Sequence, residues 1–370
     1  MVGVIDNDFP IAIDAINDRI DQIDPVRYGK TRNFIDGAVT RLSPYISRGV
    51  ISTKQLLNRV LNKGYKPYEI EKFIQELAWR DYWQQIWISK GNEINTDLKR
   101  LQDDVSNHQL AVAIDKAKTG ITAIDNAILG LYETGYMHNH IRMYTAAIAC
   151  NMAKSHWFIP AKWMYYYLLD GDWASNALSW QWVAGANANK KYVANQENIN
   201  KYCYTKDQHT FLDVPYEAFN HFQTPQILED TFVPELKTSF PQTASLSIIE
   251  NVPTSIFNYY NLDPNWMKDL ETNNILLLEP SHFDQYPISE NSMNFMLELA
   301  ENIPNIQVFV GEFGELINTY GLSDIHYKEH PLNKHYTGTK HSRDWMFDVT
   351  GYYSSFFGFW KRCKKQLRHV

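Results

Sequence analysis

Apolar residues recur at steps of three and four over Ser52–Lys63, Pro67–Lys90, Ile121–Thr134, His138–His156 and Ala161–Leu169, a period that predicts amphipathic helices. Glycine and proline signals such as Lys63-Gly64 and Thr119-Gly120 separate them. The first 200 residues contain no clear alternating strand, so a large all-helical domain is expected. From Asp207 to Thr254 the pattern dissolves into polar residues with Pro215, Pro225, Pro234, Pro241 and Pro253, which reads as a connecting segment. Beyond it, Asn274–Glu279 and Ile306–Val310 read as short buried strands flanking a helical period over Ser289–Ile303, and Ile325–Lys328 as a third strand. Such a unit implies a parallel sheet with a right-handed crossover.

The expected architecture is therefore multi-domain: an all-α domain over 1–206, a Pro-rich connector over 207–254, a smaller α/β (strand–helix–strand) domain over 255–350, and a C-terminal helix or basic tail over 351–370. Within that tail Lys361–Arg368 reads as a solvated face. Gly311 and Gly314 follow the second strand, but two glycines of a longer phosphate-loop pattern read more simply as a turn.

With 44% hydrophobic and 21% charged residues in 370, the chain must bury large cores and is no disordered scaffold. Cys150, Cys203 and Cys363 are too few for a disulfide framework or a thiolate metal cluster held by this chain alone. The opening is interrupted by Asp6, Asp8, Asp14 and Asp18 and does not read as a targeting peptide, and no run reaches the length of a membrane span. A cytoplasmic protein with no membrane partner is expected. Residues 1–200 hold 22 basic against 21 acidic residues, and the remainder 13 against 21, so the acidic excess belongs to the C-terminal part. A near-neutral first part leaves room for a local basic surface. Aromatic residues make up 14%, with 11 Trp and 23 Tyr, which suits ordinary core and also a planar cofactor or stacked bases.

Candidate chemistry gathers in four strings of the helical part. Val39-Thr40-Arg41-Leu42-Ser43 places two hydroxyls and a guanidinium before Pro44 and a helix start, where an anion is favoured; an ordinary cap is the bland alternative. Around Phe73–Trp83, the residues Phe73, Glu76, Trp79 or Arg80, and Trp83 share a helix face, setting a carboxyl among rings; the alternative is a solvated Glu76–Arg80 pair. In Tyr136–Met143 an amide, an imidazole and a guanidinium converge from Asn139, His138 and Arg142, while the spacing of His138 and His140 does not suit a metal. Asp170-Gly171-Asp172 permits a tight turn between carboxylates ahead of Asn176 and Trp180; it lacks the later ligands of a calcium loop, and each residue taken alone reads as core.

Taken together and in order, Thr40–Ser43, Glu76–Asp81, Lys118–Ile121, Gly135–Met143 and Asp170–Trp182 resemble the flavin-binding domain of the DNA photolyase/cryptochrome family from about Tyr28 to Trp182. The resemblance implies FAD held among helices and used in one-electron photochemistry. It implies that Tyr28 and Val39, Thr40, Arg41, Leu42 and Ser43 hold the FAD phosphates, with Arg80 among the cofactor-binding residues. Asn139, Arg142, Asp170, Asp172 and Asn176 would line the ring and ribityl parts. It further implies that Glu76 and Asn139 hydrogen-bond a flipped-out lesion, that Trp79 stacks on it, and that Met143 touches it. Members that repair the (6-4) lesion have histidines where Asn139 and Met143 stand here, so a cyclobutane dimer is favoured. UV-damaged DNA, single- or double-stranded, would be the partner of a monomeric enzyme, a deoxyribodipyrimidine photolyase-like lyase.

Two departures from the family stand out. Trp180 and Trp157 match the inner members of its tryptophan relay, but Asp104 falls where the outer one is expected, so either Trp182 or one of Tyr165–Tyr167 substitutes or photoreduction is poor. The usual antenna domain precedes the helical one, whereas about 27 residues precede Tyr28 here; the chain is expected to lack that domain, and no antenna pigment is implied. The C-terminal α/β part reads either as its displaced or permuted counterpart or as an unrelated addition. Light-driven repair is thus the expected function, with a blue-light receptor using the same flavin as the alternative.

Overall fold

The computed structural model describes residues 9–367; the first eight residues of the expected helical domain and the last three of the expected basic tail lie outside the described residues. The longer helices are α1 Ile13–Asp21, α2 Thr53–Leu61, α3 Glu71–Lys90, α4 Thr122–Thr134, α5 Asn139–Ala147, α6 Phe158–Tyr167, α7 Trp173–Ala184, α8 Gln196–Cys203, α9 Glu290–Ala300, α10 Phe313–Tyr320 and α11 Phe356–Gln366. Strands β1 Thr254–Phe257, β2 Asn273–Leu278, β3 Gln307–Val310, β4 Ile325–Lys328 and β5 Thr339–His341 form one sheet. By packing, the chain divides into two compact units, one of 1–25, 40–89 and 237–370, the other of 26–39 and 90–236. The stretch 1–206 contributes to both.

In the first unit the strands run parallel in the order β3-β2-β1-β4-β5. Leu276 and Leu278 are as buried as Ile275 and Leu277, so both faces of β2 are covered, as parallel sheets require. On one face Ile256, Ile275, Leu277 and Ile325 pack with Phe313 and Leu316 of α10, each such side chain stabilising the fold by about 2 kcal/mol. The sheet has five strands where the sequence indicated three. β1 follows Pro253 with two hydroxyl residues, and β5 is Thr339-Lys340-His341, so neither carries an apolar run. The connecting stretch also supplies Thr231–Phe232, which pairs antiparallel with Leu110–Ala111.

Helix α2 starts where Ser52 Oγ accepts from the Gln55 N–H and Gln55 Oε1 accepts from the Ser52 N–H, a reciprocal cap. The C-terminal segment is held along α3: buried Asp81 accepts from Thr53 Oγ1 (2.9 Å) and the Met346 N–H (2.9 Å), Gln85 from the Gly351 N–H, and the Tyr82 hydroxyl donates to the Tyr353 carbonyl. Helix α11 is amphipathic, burying Phe356, Phe359, Trp360 and Cys363 while Lys364 pairs with Glu71 at 2.7 Å, so the basic end has an apolar side the charge run hid.

In the second unit α4 ends at Gly135, whose φ of 68° is left-handed and whose missing Cβ would meet the Leu169 side chain at 2.5 Å. The period over His138–His156 resolves into α5 and a π turn at Ile148–Met152. Among the described residues no helix is long and apolar enough to cross a membrane.

Candidate functional site

In the second unit Arg142, on the second turn of α5, meets Asp170: Nη2 lies 3.0 Å from Oδ1, and Nε donates to the Met137 carbonyl at 2.7 Å. The Asp170 side chain is 4% exposed, so the pair is largely withdrawn from water and held in one geometry. Gly171 makes the turn because a Cβ there would come within 3.1 Å of two carbonyl oxygens, those of Leu168 and Tyr165. Asp172 then caps α7, accepting from the Ser175 N–H at 2.7 Å. One turn on, the half-buried Asn176 donates from Nδ2 to the Ala161 carbonyl at 2.8 Å. Asn139 is exposed at the first position of α5, Met143 is half-buried one turn later, and the α5 cap is His138, whose Nδ1 accepts from the His140 N–H. Tyr28, on the short helix Pro25–Thr31, and Val39 are both half-buried.

Trp157 is fully buried and Trp180 nearly so. The Trp157 indole N–H donates to Asp97 Oδ1 at 2.7 Å, an oxygen it shares with His156 Nε2 at 3.1 Å, while burial pushes the His156 imidazole below its usual range. Sequence reading missed Asp97; 60 residues separate it from Trp157, and no local spacing announces the pairing. Trp182 is 38% exposed with its ring 5.8 Å from that of Tyr192, and Tyr165 is buried 5.4 Å from Trp173.

In the first unit Thr40 Oγ1 accepts from the Leu42 N–H, Leu42 is buried, and Ser43 opens the short helix Ser43–Ser47. Arg41 between them has φ of 52°, a left-handed conformation that a long side chain adopts only where its surroundings hold it. On α3 the bland Glu76–Arg80 pair does not form. Glu76 pairs with Lys72 at 2.9 Å, and Arg80 Nη1 donates to the Ser47 hydroxyl at 2.9 Å. The Trp79 ring lies against Phe356 of α11, centroids 3.8 Å apart and planes 10° from parallel, with Trp83 and Tyr82 at 5.0 and 5.5 Å.

Residues 73–239 match the family described as the FAD binding domain of DNA photolyase. That span contains Glu76, Trp79, Arg80, Asn139, Arg142, Met143, Trp157, Asp170, Asp172, Asn176 and Trp180; Tyr28 and Val39–Ser43 precede it. A deoxyribodipyrimidine photo-lyase of Alkalihalophilus pseudofirmus is 31% identical over 154 residues, 39% of this chain and 31% of that protein. A cryptochrome DASH of Danio rerio is 29% identical over 181 residues, 43% of this chain and 32% of its own. The chain thus spans about a third of the length of these curated relatives. The crystal structure of a class III photolyase from Agrobacterium tumefaciens aligns with a TM-score of 0.44 at 26% identity, over 51% of this chain and 41% of that one. Over residues 73–239, a little under half of its length, the chain is thus similar to the FAD-binding domain of DNA photolyases and of a cryptochrome DASH.

Proposed function

We propose that the protein binds FAD and uses light to split cyclobutane pyrimidine dimers in UV-damaged DNA, acting as a photolyase-like lyase. The observation that carries the reading is the Arg142–Asp170 pair: a largely buried, doubly anchored guanidinium–carboxylate contact at the foot of α7, with Asp172 and Asn176 following within two turns. The donor set fits the cofactor. Arg142 and Asp170 supply a fixed pair of charges for a polar ring edge, and Asn176, oriented by the bond from Nδ2 to the Ala161 carbonyl, offers its Oδ1 lone pairs as acceptors for a ring N–H. The left-handed Arg41 between two hydroxyl residues suits a phosphate-holding turn, so Tyr28, Val39, Thr40, Arg41, Leu42, Ser43 and Arg80 are assigned to the nucleotide end.

Bound FAD supplies the light-driven one-electron chemistry. The chain's residues do the rest: Glu76 and Asn139 hydrogen-bond the dimer, Trp79 packs on it, and Met143 shapes the pocket for a cyclobutane lesion. Trp180 and Trp157 are assigned to electron supply, Trp157 being held in one orientation by Asp97.

A second reading, a blue-light receptor, is favoured by one observation, the occupation of a Trp79 ring face by Phe356. One experiment separates them. Chemically reduced, flavin-loaded protein is illuminated with a thymine-dimer oligonucleotide, and restored thymine is measured. Restoration that slows in Glu76→Ala supports repair; flavin retention without restoration assigns the receptor; protein that takes up no flavin defeats both.

A further inference from the structure

The parallel sheet carries a second feature that the flavin reading does not use. In the order β3-β2-β1-β4-β5 all strands run parallel but successive strands are added to one side of β1 and then, from β4, to the other, and a crevice outside the carboxyl ends of strands at such a switch is where open α/β sheets bind ligands. A cleft lies there, lined by residues that follow β1 (Tyr259, Tyr260), β2 (Glu279, His282) and β4 (His330, Tyr336), and it holds about 320 Å³ of atom-free space counted out to its mouth. Its enclosed part is about 20 Å³, room for one oxygen-sized group at the bottom of the cleft.

Three buried polar atoms at the cleft have no hydrogen-bond partner: Tyr259 Oη, His282 Nε2 and His330 Nε2. Tyr259 is 2% and His330 5% exposed, and an unmet polar group at such depth is destabilising unless something binds it. The His330 tautomer follows from its cap: Nδ1 accepts from the Leu332 N–H, so the neutral ring carries its proton on Nε2, a donor. Burial first, then Arg343, His282 and Arg48, holds that ring neutral, and burial with Arg48 pushes His282 down to about 3. The guanidinium of Arg48 lies 3.3 Å from the Tyr259 ring centroid, and Tyr260 stacks on His330 at 4.2 Å. Glu279, the carboxylate of the lining, already accepts from the Phe313 N–H, His335 Nε2 and Tyr336 Oη. A protonated Nε2 cannot ligate a metal, and among the described residues no three His, Cys, Asp or Glu side chains are grouped to hold one. Donors under a positive potential select an anion.

We propose that this cleft binds a small oxyanion-bearing ligand, a carboxylate or a phosphate, whose oxygen accepts hydrogen bonds from Tyr259 Oη and His330 Nε2. The site is independent of flavin and is tested on the full chain by isothermal titration calorimetry with inorganic phosphate and, separately, acetate, each against sodium chloride of equal ionic strength. One of the two anions binds saturably, and the anion that does so names the source. Tyr259→Phe, which removes one hydroxyl, and His330→Asn, which keeps the capping acceptor and loses the Nε2 donor, each weaken binding about tenfold with melting temperatures held. Should His330→Asn fail to fold, Tyr259→Phe decides alone. Absence of saturable heat from both anions, or an affinity unchanged by Tyr259→Phe, overturns the proposal; so does a crystal structure from saturating phosphate with only a water on Tyr259 and His330.

Discussion

Phe356 stacks on Trp79 with ring centroids 3.8 Å apart, joining the C-terminal helix to the aromatic face of α3. Phe356 is 3% exposed, so Phe356→Ala removes both the stack and a buried ring, and a loss of about 3 kcal/mol is expected in urea unfolding. If Trp79 works as a lesion platform, the same variant binds a thymine-dimer oligonucleotide more tightly at matched salt. An unchanged affinity removes Trp79 from that role.

Asp170→Asn leaves the Arg142 guanidinium without its charge partner in a largely buried place. Flavin retention is expected to fall at least tenfold, read as absorbance co-eluting with the protein, with a stability loss of about 3 kcal/mol. Arg142→Lys in the native background lowers flavin retention as well, because a point ammonium cannot hold Asp170 and the Met137 carbonyl in the same fork.

Asp81 makes stability depend on pH in an unusual direction. Burial raises its carboxyl to about 6, against the lowering by the Met346 N–H, Thr53 and Arg343. The folded protein therefore keeps the proton that the unfolded chain gives up near its ordinary value of 3.8. This contribution is full below pH 3.8 and is lost as pH rises through about 6, amounting to roughly 3 kcal/mol. Asp81→Asn, which can keep both hydrogen bonds, flattens that fall; urea midpoints between pH 4 and 7 in both proteins measure it.

Asp97→Ala leaves the buried Trp157 indole N–H unpaired, costing about 1–3 kcal/mol in thermal or urea unfolding. Because the carboxylate is also the group able to take a proton from an oxidised indole, photoreduction of bound flavin is expected to slow in this variant while repair by chemically reduced protein is kept. Equal photoreduction rates in the two proteins take Trp157 out of the electron path.

Local chemistry made much of this legible beforehand. The helix spans of α2, α3, α4 and α6 and the strands β2, β3 and β4 were readable because an apolar period or run survives in each, although β3, expected to be buried, is half-buried throughout at the edge of the sheet. The Gly171 turn and the Asp172–Asn176 spacing likewise follow from one short string. Strand β1 was not readable, because a four-residue segment at the centre of a sheet is defined by neighbours 19 and more residues away. The apolar side of α11 was masked by Lys361, Arg362, Lys364 and Lys365.

What the chain order alone determined is most of the longer helices, though not α1, α8 or α10, together with the parallel strand–helix–strand core and the motifs that resemble a flavin domain, since all of these are written in spacings of one to four residues or in short runs. Tertiary structure decided which polar groups meet: Glu76 with Lys72, Arg80 with Ser47, Arg142 with Asp170, and Trp157 with Asp97. It also decided that Tyr259 and His330, far apart in the chain, line one cleft at the strand ends. Such choices depend on distances between segments that no local period encodes, and they are made by desolvation, which lets a buried polar group persist where the fold delivers a partner or leaves room for a ligand.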